Sequence, residues 1–577
     1  MSHSSQDQPI GQFHRPAHVR GSGHPRRPSR RRRLLTHLVA PLTLLVVIVG
    51  VGVFAFSDSD GGEIALAHAY IHAWEGGDYA RMYADISPAD RRSMTVEQFT
   101  AAYESARDTS TLVGLRARRG AVVRGNAVYV PMVVTTDVFG TLHLTLRLPL
   151  TADGTHVAYA PQIVFPSLAT GERLTRTVAL GARGTLLAAN GQVLAEGPDR
   201  ASAIPQIAEQ IVGTIGAIPK ADDAYYARLG YPADAKVGQD GLELVFERQL
   251  AGTPGGTLYA GTRVLAHATP KPGATVRTTI VPELEQAAVE AMDNDYAGIT
   301  AINPKTGAIE AAAGIAFTDT QPPGSTFKII TTVAALQSGI ATPSTVFPEE
   351  SSVDLDGYTM QNAGGEVCGG TLTDAFATSC DTTFAPLGVT VGAKQLVATA
   401  ERFGFNAPTG IPSALESTIP STSEIGGPVS IGSTAIGQGD LEASTLEIAD
   451  VGAAIADRGQ LPKPTFDATA SPQFTQATTP KVANEVQKMM EAVVDYGTGT
   501  SAQIPGVEVA GKTGTAELAN TSGQQNDAKE TDGWFVGYAP AGDPRLVVCA
   551  LFPNQGYGAA TAAPAVKEVL ETALGIS

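Results

Sequence analysis

One stretch constrains the rest of the chain: Pro322-Pro323-Gly324-Ser325-Thr326-Phe327-Lys328-Ile329-Ile330. The prolines and glycine stop whatever precedes them. Phe327 then opens an apolar run through Thr331-Thr332-Val333-Ala334-Ala335-Leu336, so a turn feeds directly into a buried helix. That spacing predicts Ser325 and Lys328 at i and i+3, on one face of the first helical turn. A hydroxyl is a useful nucleophile only when a base takes its proton, and a half-buried lysine amine one turn away, its pKa lowered, is such a base. Backbone N–H groups at the helix start point at whatever lies over Ser325. A lone Ser-x-x-Lys is also ordinary helix-start chemistry. It occurs once in this chain, and partners downstream decide its meaning.

At 577 residues the chain is too long for one core and predicts several domains. Residues 1–33 form a basic tail with eight Arg against one acidic residue, leaving 32 basic and 56 acidic residues in the remainder, a net of −24. So acidic a body argues against nucleic acid as a partner. Leu34–Phe56 is uncharged and mostly apolar, long enough at 23 residues to cross a bilayer. It is too long for a typical signal-peptide core, no small-x-small cleavage site follows, and no Cys follows it to accept a lipid. The expectation is a single-pass anchor in the cell membrane, with a cytoplasmic N-terminus set by the Arg cluster and everything from about Asp58 outside. In that oxidising setting Cys368 and Cys380, twelve apart in a loop-rich stretch, are candidates for a disulfide or for two free thiols. Cys549 sits in an apolar run as a core thiol. No spacing suits a metal, and no cofactor motif is present.

Residues 60–165 read as helices followed by antiparallel strands. Glu63–Tyr83 and Pro88–Arg107 are helical, with Ser87 and Pro88 as cap and first position; Ala121–Thr135, Leu142–Leu150 and His156–Tyr159 are strands. Together they predict a small α+β cone. Residues 166–275 are rich in glycine and turn residues, with a hairpin around Asn190-Gly191 and no titratable constellation; they predict a non-catalytic pedestal. Residues 276–577 predict an α/β sandwich, with strands 297–302, 308–314, 507–512, 533–538 and 545–552 bracketing a helical insertion. The closing helix is 562–574. The site is expected where sheet meets insertion.

Two sets of residues answer the Ser-x-x-Lys: Ser379-Cys380-Asp381 after a helix-like segment, and Lys512-Thr513-Gly514-Thr515 ending a strand. Acyl transfer needs a nucleophile, a base, a proton route to the leaving amine, an oxyanion hole and a grip on substrate. Ser325 and Lys328 supply the first two, and the Ser379 hydroxyl relays a proton. The Lys512 ammonium with the Thr513 and Thr515 hydroxyls suits a carboxylate, and Gly514 lets substrate approach the strand backbone. A second Lys-Thr-Gly, Lys305-Thr306-Gly307, falls in a hairpin turn and is assigned to structure.

These three motifs, in this order, resemble the penicillin-binding protein transpeptidases and their serine β-lactamase relatives. The likeness extends to Arg183-Gly184 with Asn190-Gly191, Gly241-Leu242-Glu243, Asn303-Pro304-Lys305-Thr306-Gly307, Gly437-Gln438-Gly439 and Gly533-Trp534-Phe535-Val536-Gly537-Tyr538, which look like landmarks of class B members. Residues 60–165 are similar to the NTF2-like domain that precedes some of them, and 166–275 to their dimerisation-type domain. The resemblance implies a monofunctional D,D-transpeptidase that cross-links peptidoglycan stem peptides ending in D-Ala-D-Ala and is acylated by β-lactams. It implies Ser325 as nucleophile, Lys328 as its base, and Ser379 with Lys512 as the route to the leaving amine. Thr513 and Thr515 would hold the terminal carboxylate, and the N–H groups of Ser325 and Thr515 would form the oxyanion hole. A membrane polymerase of the SEDS type is the implied partner.

One departure bears on mechanism. The family's second motif is Ser-x-Asn, and here its third residue is Asp381. An ionised carboxylate only accepts hydrogen bonds, so Asp381 is expected to pair with Lys328, raise its pKa and weaken it as a base unless Lys512 compensates. Smaller departures are Ala188 and Ala189, where the family usually has Asp and Arg. The alternative reading is a catalytically weakened scaffold of the wall-synthesis machinery. A β-lactamase is disfavoured by the superfluous pedestal and anchor, and a transmembrane sensor by the lack of a cytoplasmic signalling domain.

Overall fold

The computed structural model describes residues 59–293, 295–517 and 531–576. The expected tail, 1–33, and span, 34–56, lie outside them; among the described residues no helix is long and apolar enough to cross a membrane. The chain divides into two compact units. Within the described residues the smaller runs to Met94 and adds Ala117–Pro131 and Arg147–Ala160, and the larger holds the rest. Residues 60–165 are thus shared between the two rather than forming one unit.

In the smaller unit the helix expected over 63–83 is two, Ser59–Glu75 and Tyr79–Asp85. Gly77, at φ 71°, ends the first, and the Asp78 carboxylate accepts from the Arg81 N–H at 2.9 Å to cap the second. Ser87 caps helix Pro88–Ser93 by accepting from the Asp90 N–H. Val122–Arg124 pairs antiparallel with Ala127–Tyr129. His156–Tyr159 forms no strand; Val157 makes only isolated bridges to Ile86 and Leu150.

In the larger unit, helix Val96–Ser110 starts afresh at a capping box of Thr95 and Gln98, which explains why the helix expected over 88–107 breaks. Its last turn is tied to the following segment: Arg176 donates to the Asp108 carbonyl at 2.7 Å and to the Ala227 carbonyl at 2.7 Å. Leu186–Leu187 and Val193–Ala195 pair around Asn190-Gly191, with Gly191 at φ 88° in the turn. The sequence showed no titratable constellation in 166–275, yet the fold gathers a charge cluster there. Arg183 reaches Glu243 and Glu247, both at 2.7 Å, and Arg200 reaches Glu243 at 2.6 Å, with both carboxylates buried. The four residues come from three separated stretches, so no local spacing announced the cluster.

The C-terminal part is built on a five-stranded antiparallel sheet in the order Ile309–Gly314, Gly298–Ile302, Leu546–Phe552, Thr531–Ala539, Ala510–Glu517. Its central strands are apolar without a polar face because both faces are covered. The two-residue period sends Phe535, Val548 and Ala550 into one core with helices Pro282–Ala291 and Ala562–Leu574. It sends Trp534, Val536 and Cys549 into the other, with helices Lys328–Gln337, Thr445–Ala456 and Pro480–Asp495. The strand expected to stop at Lys512 continues to Glu517, so the whole Lys512–Thr515 motif lies within the edge strand.

Candidate active site

Ser325 does not open the α-helix. It lies in a 3₁₀ turn, Gly324–Phe327, and the α-helix begins at Lys328. Residues i and i+3 eclipse in a 3₁₀ turn, so Ser325 and Lys328 still share a side. Ser325 is partly exposed, whereas every residue from Lys328 to Ala335 is buried. Three glycines let backbones meet around this turn. A Cβ on Gly514 would sit 2.8 Å from the Pro323 carbonyl oxygen and 2.9 Å from the Thr326 methyl. One on Gly437 would sit 1.9 Å from the Gly324 oxygen, and Gly324, at φ 51°, turns beneath the Thr515 carbonyl. The bare α-carbon of Gly514 also seats the edge strand against the nucleophile turn.

The second motif arrives from the insertion. Helix Leu372–Ala377 is capped by Thr371 and Asp374, and its end leaves Ser379 at φ 59°, a left-handed conformation that a serine adopts at a cost. This bend turns both the carbonyl and the hydroxyl of Ser379 toward Lys328. Lys328 Nζ lies 2.6 Å from the Ser379 carbonyl oxygen, 3.3 Å from its Oγ and 2.7 Å from Asp381 Oδ1. Lys512 Nζ approaches from the strand, 2.9 Å from the same Ser379 Oγ and 3.0 Å from the Thr513 carbonyl. Both lysines are fully buried, and Asp381 keeps a side-chain exposure of 18%. Cys368 and Cys380 are joined by a disulfide with their Cα atoms 5.7 Å apart, fixing the residue between Ser379 and Asp381 to strand Cys368–Thr371. Cys549 is a buried free thiol, pushed well up by burial.

Burial lowers the pKa of Lys328, against the upward pull of Asp381. Asp381 pairs with Lys328 and pulls its pKa upward, as expected, but desolvation outweighs that pull. Burial and then the nearby Lys328 charge push Lys512 well below the usual lysine range, with Asp381 again opposing. Aromatic faces offset part of the desolvation: Phe384 lies 5.5 Å from Lys328 Nζ and Phe376 5.6 Å from Lys512 Nζ.

Some of the site was not read from the sequence. Thr498 Oγ1 lies 2.5 Å from Thr513 Oγ1, and its N–H donates to the Ala377 carbonyl at 3.0 Å, linking the third motif to the second. Asn362 donates to the Glu350 and Glu366 carbonyls and accepts from the Thr382 N–H, holding the helix that Asp381 begins. Only the small residues flanking Thr498 hinted at a close approach, and nothing local marked Asn362. Thr515 is partly exposed beside the Ser325 turn, as an oxyanion or carboxylate donor must be. Lys305, of the other Lys-Thr-Gly, pairs with exposed Asp543 at 2.5 Å and does not join the site. Among the described residues no group of His, Cys, Asp and Glu could hold a metal ion.

Two family models match this chain: the penicillin-binding protein transpeptidase domain over residues 297–571, and the penicillin-binding protein dimerisation domain over 194–278. The peptidoglycan D,D-transpeptidase PbpA of Mycolicibacterium smegmatis is 32% identical over 373 residues, spanning 52% of this chain and 73% of that protein. PbpA of Mycobacterium tuberculosis is 31% identical over 366 residues, with the same coverage of 52% and 73%. Among solved structures, the D,D-transpeptidase domain of a peptidoglycan glycosyltransferase from Eggerthella lenta superposes with a TM-score of 0.56 at 29% identity, covering 69% of this chain and 99% of that one. Penicillin-binding protein A from M. tuberculosis, as a ceftriaxone acyl-enzyme, gives 0.56 at 26% identity, covering 68% and 98%. With its three motifs gathered at one buried amine pair, the chain belongs to the penicillin-binding protein transpeptidases.

Proposed function

We propose that the chain is a membrane-anchored peptidoglycan D,D-transpeptidase. The observation that carries this reading is the convergence of two buried amines, Lys328 and Lys512, on the single hydroxyl of Ser379, with a partly exposed Ser325 in the turn that leads into Lys328. Such an arrangement moves a proton to and from an acyl-transfer centre without metal or cofactor. Ser325 Oγ attacks the penultimate D-Ala carbonyl of a stem peptide, the developing oxyanion being met by the N–H groups of Ser325 and Thr515. The Oγ–C bond forms as the C–N bond breaks, and terminal D-Ala departs with the proton. The Thr513 and Thr515 hydroxyls receive its carboxylate. An amine of a neighbouring stem peptide then takes the acyl group. A β-lactam enters the same route and leaves a stable ester on Ser325.

The relatives' names and the ceftriaxone acyl-enzyme of a similar protein support this reading. The basic tail and apolar run support an anchor that holds the site outside the membrane, beside a SEDS-type polymerase. The first part of the chain serves as an NTF2-like spacer. A weakened scaffold is the second reading, favoured by the Lys328–Asp381 ion pair. The test supplies a D-Ala-D-Ala stem peptide and an amine acceptor to the purified full chain. The account expects D-Ala release with cross-linked product; a folded protein that binds the peptide but releases no D-Ala supports the scaffold.

A further inference from the structure

The two lysines differ in what their hydrogens meet. Lys328 Nζ has three acceptors around it, the Ser379 carbonyl, Asp381 Oδ1 and Ser379 Oγ, at 2.6, 2.7 and 3.3 Å. An ammonium has three N–H donors and no acceptor, so this set fits the charged form, and the carboxylate balances it. Among the described residues Lys512 Nζ has no carboxylate within hydrogen-bond reach. Its contacts are the Thr513 carbonyl at 3.0 Å, Thr513 Oγ1 at 3.5 Å and Ser379 Oγ at 2.9 Å. A neutral amine, with two donors and one lone pair, fits: it donates to the Thr513 oxygens and accepts from Ser379. The Ser379 hydroxyl has one proton and lies between both amines; if it accepts from Lys328, its proton is directed at Lys512.

We propose that the proton acceptor in this chain is Lys512, acting through the Ser379 hydroxyl, while Lys328 remains an ammonium fixed by Asp381. This rests on the transpeptidase reading and replaces Lys328, the base implied by the resemblance, with Lys512. As Ser325 Oγ bonds to the carbonyl carbon, its proton passes to Ser379 Oγ and the Ser379 proton passes to Lys512 Nζ. When the C–N bond breaks the same path runs backward to the leaving nitrogen, and Lys512 is neutral again. The charges facing Lys512 are Lys328, from the helix after Ser325, and Asp381, at the start of the insertion helix. From its own strand Lys512 Nζ meets Thr513 among the described residues. Burial and the Lys328 charge both disfavour a second ammonium here, which agrees with the downward shift of Lys512. The Asp at the third position of Ser379-Cys380-Asp381 thereby acquires a function: it supplies the counter-charge that keeps one amine protonated and leaves the other free.

The test measures the acylation rate of the full chain by a labelled penicillin across pH in Lys328→Arg and Lys512→Arg, since arginine keeps the charge and never serves as a base. The expected result is a loss of at least about 100-fold in Lys512→Arg and within about tenfold in Lys328→Arg. The reverse order overturns the proposal. Arginine fits poorly in a buried site, so a second measurement follows the ¹³Cε resonances of labelled lysines in the wild type. The resonance titrating at lowest pH should be missing from Lys512→Met; its absence from Lys328→Met instead refutes the assignment. If wild type is not acylated at any pH, the transpeptidase reading fails, while the titration still decides which amine is neutral.

Discussion

The segment before the transpeptidase domain and the active site each bury a small group of charges, and the two groups are made differently. Arg183 and Arg200 face Glu243 and Glu247, two cations against two anions. In the site Lys328 and Lys512 share one carboxylate, Asp381. Guanidinium groups cannot shed their protons, so the first cluster holds its charges at any working pH and is stable only when every partner is present. Lysines can neutralise, so the second cluster tolerates imbalance by moving a proton. Balance serves structure; imbalance leaves an amine able to exchange a proton with a substrate.

This contrast is sharpest on removing one carboxylate from each. Glu243→Ala leaves the partly buried Arg200 without its carboxylate and Arg183 with Glu247 alone, and is expected to cost about 3–5 kcal/mol, read as a fall in melting temperature, with the acylation rate of the folded fraction unchanged. Asp381→Asn is expected to cost far less stability, because Lys328 can lose its proton. Its effect falls on the pH profile. Asp381 favours the protonated form of Lys328, so its loss lowers that amine; once Lys328 is neutral its charge no longer holds Lys512 down, and the acid limb of acylation through Lys512 moves to higher pH. Equal melting losses in the two variants would break the comparison.

Gly514→Ala is the next largest effect. A Cβ there would meet Trp534 Cβ at 2.7 Å and the Pro323 oxygen at 2.8 Å, so about 1–3 kcal/mol of stability and a slowed acylation are expected together. A smaller, pH-dependent effect belongs to Glu447, which burial raises from 4.5 to about 8. The native protein holds a proton there that the unfolded chain releases near 4.5, so this contribution is full below that pH and is lost as pH rises toward 8. Glu447→Gln should therefore gain melting temperature relative to wild type at pH 8.5 and little at pH 4. Smallest of all, Lys305→Ala removes an exposed ion pair and is expected to change neither melting nor acylation, separating the two Lys-Thr-Gly copies.

The sequence was most legible where local rules act. The apolar period placed four of the five strands and the closing helix within a few residues, and Pro323-Gly324 placed the nucleophile turn. The order of Ser325, Ser379 and Lys512 gave the site its members. What was missed depends on long-range placement. The Arg183–Glu243 contact joins residues 60 apart, and Thr498 meets Thr513 only because a loop passes over the strand. The direction of the Gly514 α-hydrogen follows from strand register, which no motif states. Both sides of the Lys328 balance were read, a buried amine and an opposing carboxylate, but which prevails depends on the depth of burial, which a sequence does not show.

The central claim is that Ser325 is the acylated nucleophile of the site formed with Lys328, Ser379 and Lys512. Its most direct test is mass-spectrometric peptide mapping of the full chain after exposure to a penicillin, with Ser325→Ala alongside. The account predicts one penicilloyl adduct on the peptide bearing Ser325, stable through digestion and absent from the variant. An adduct on another residue, or an equal adduct in folded Ser325→Ala, would contradict it.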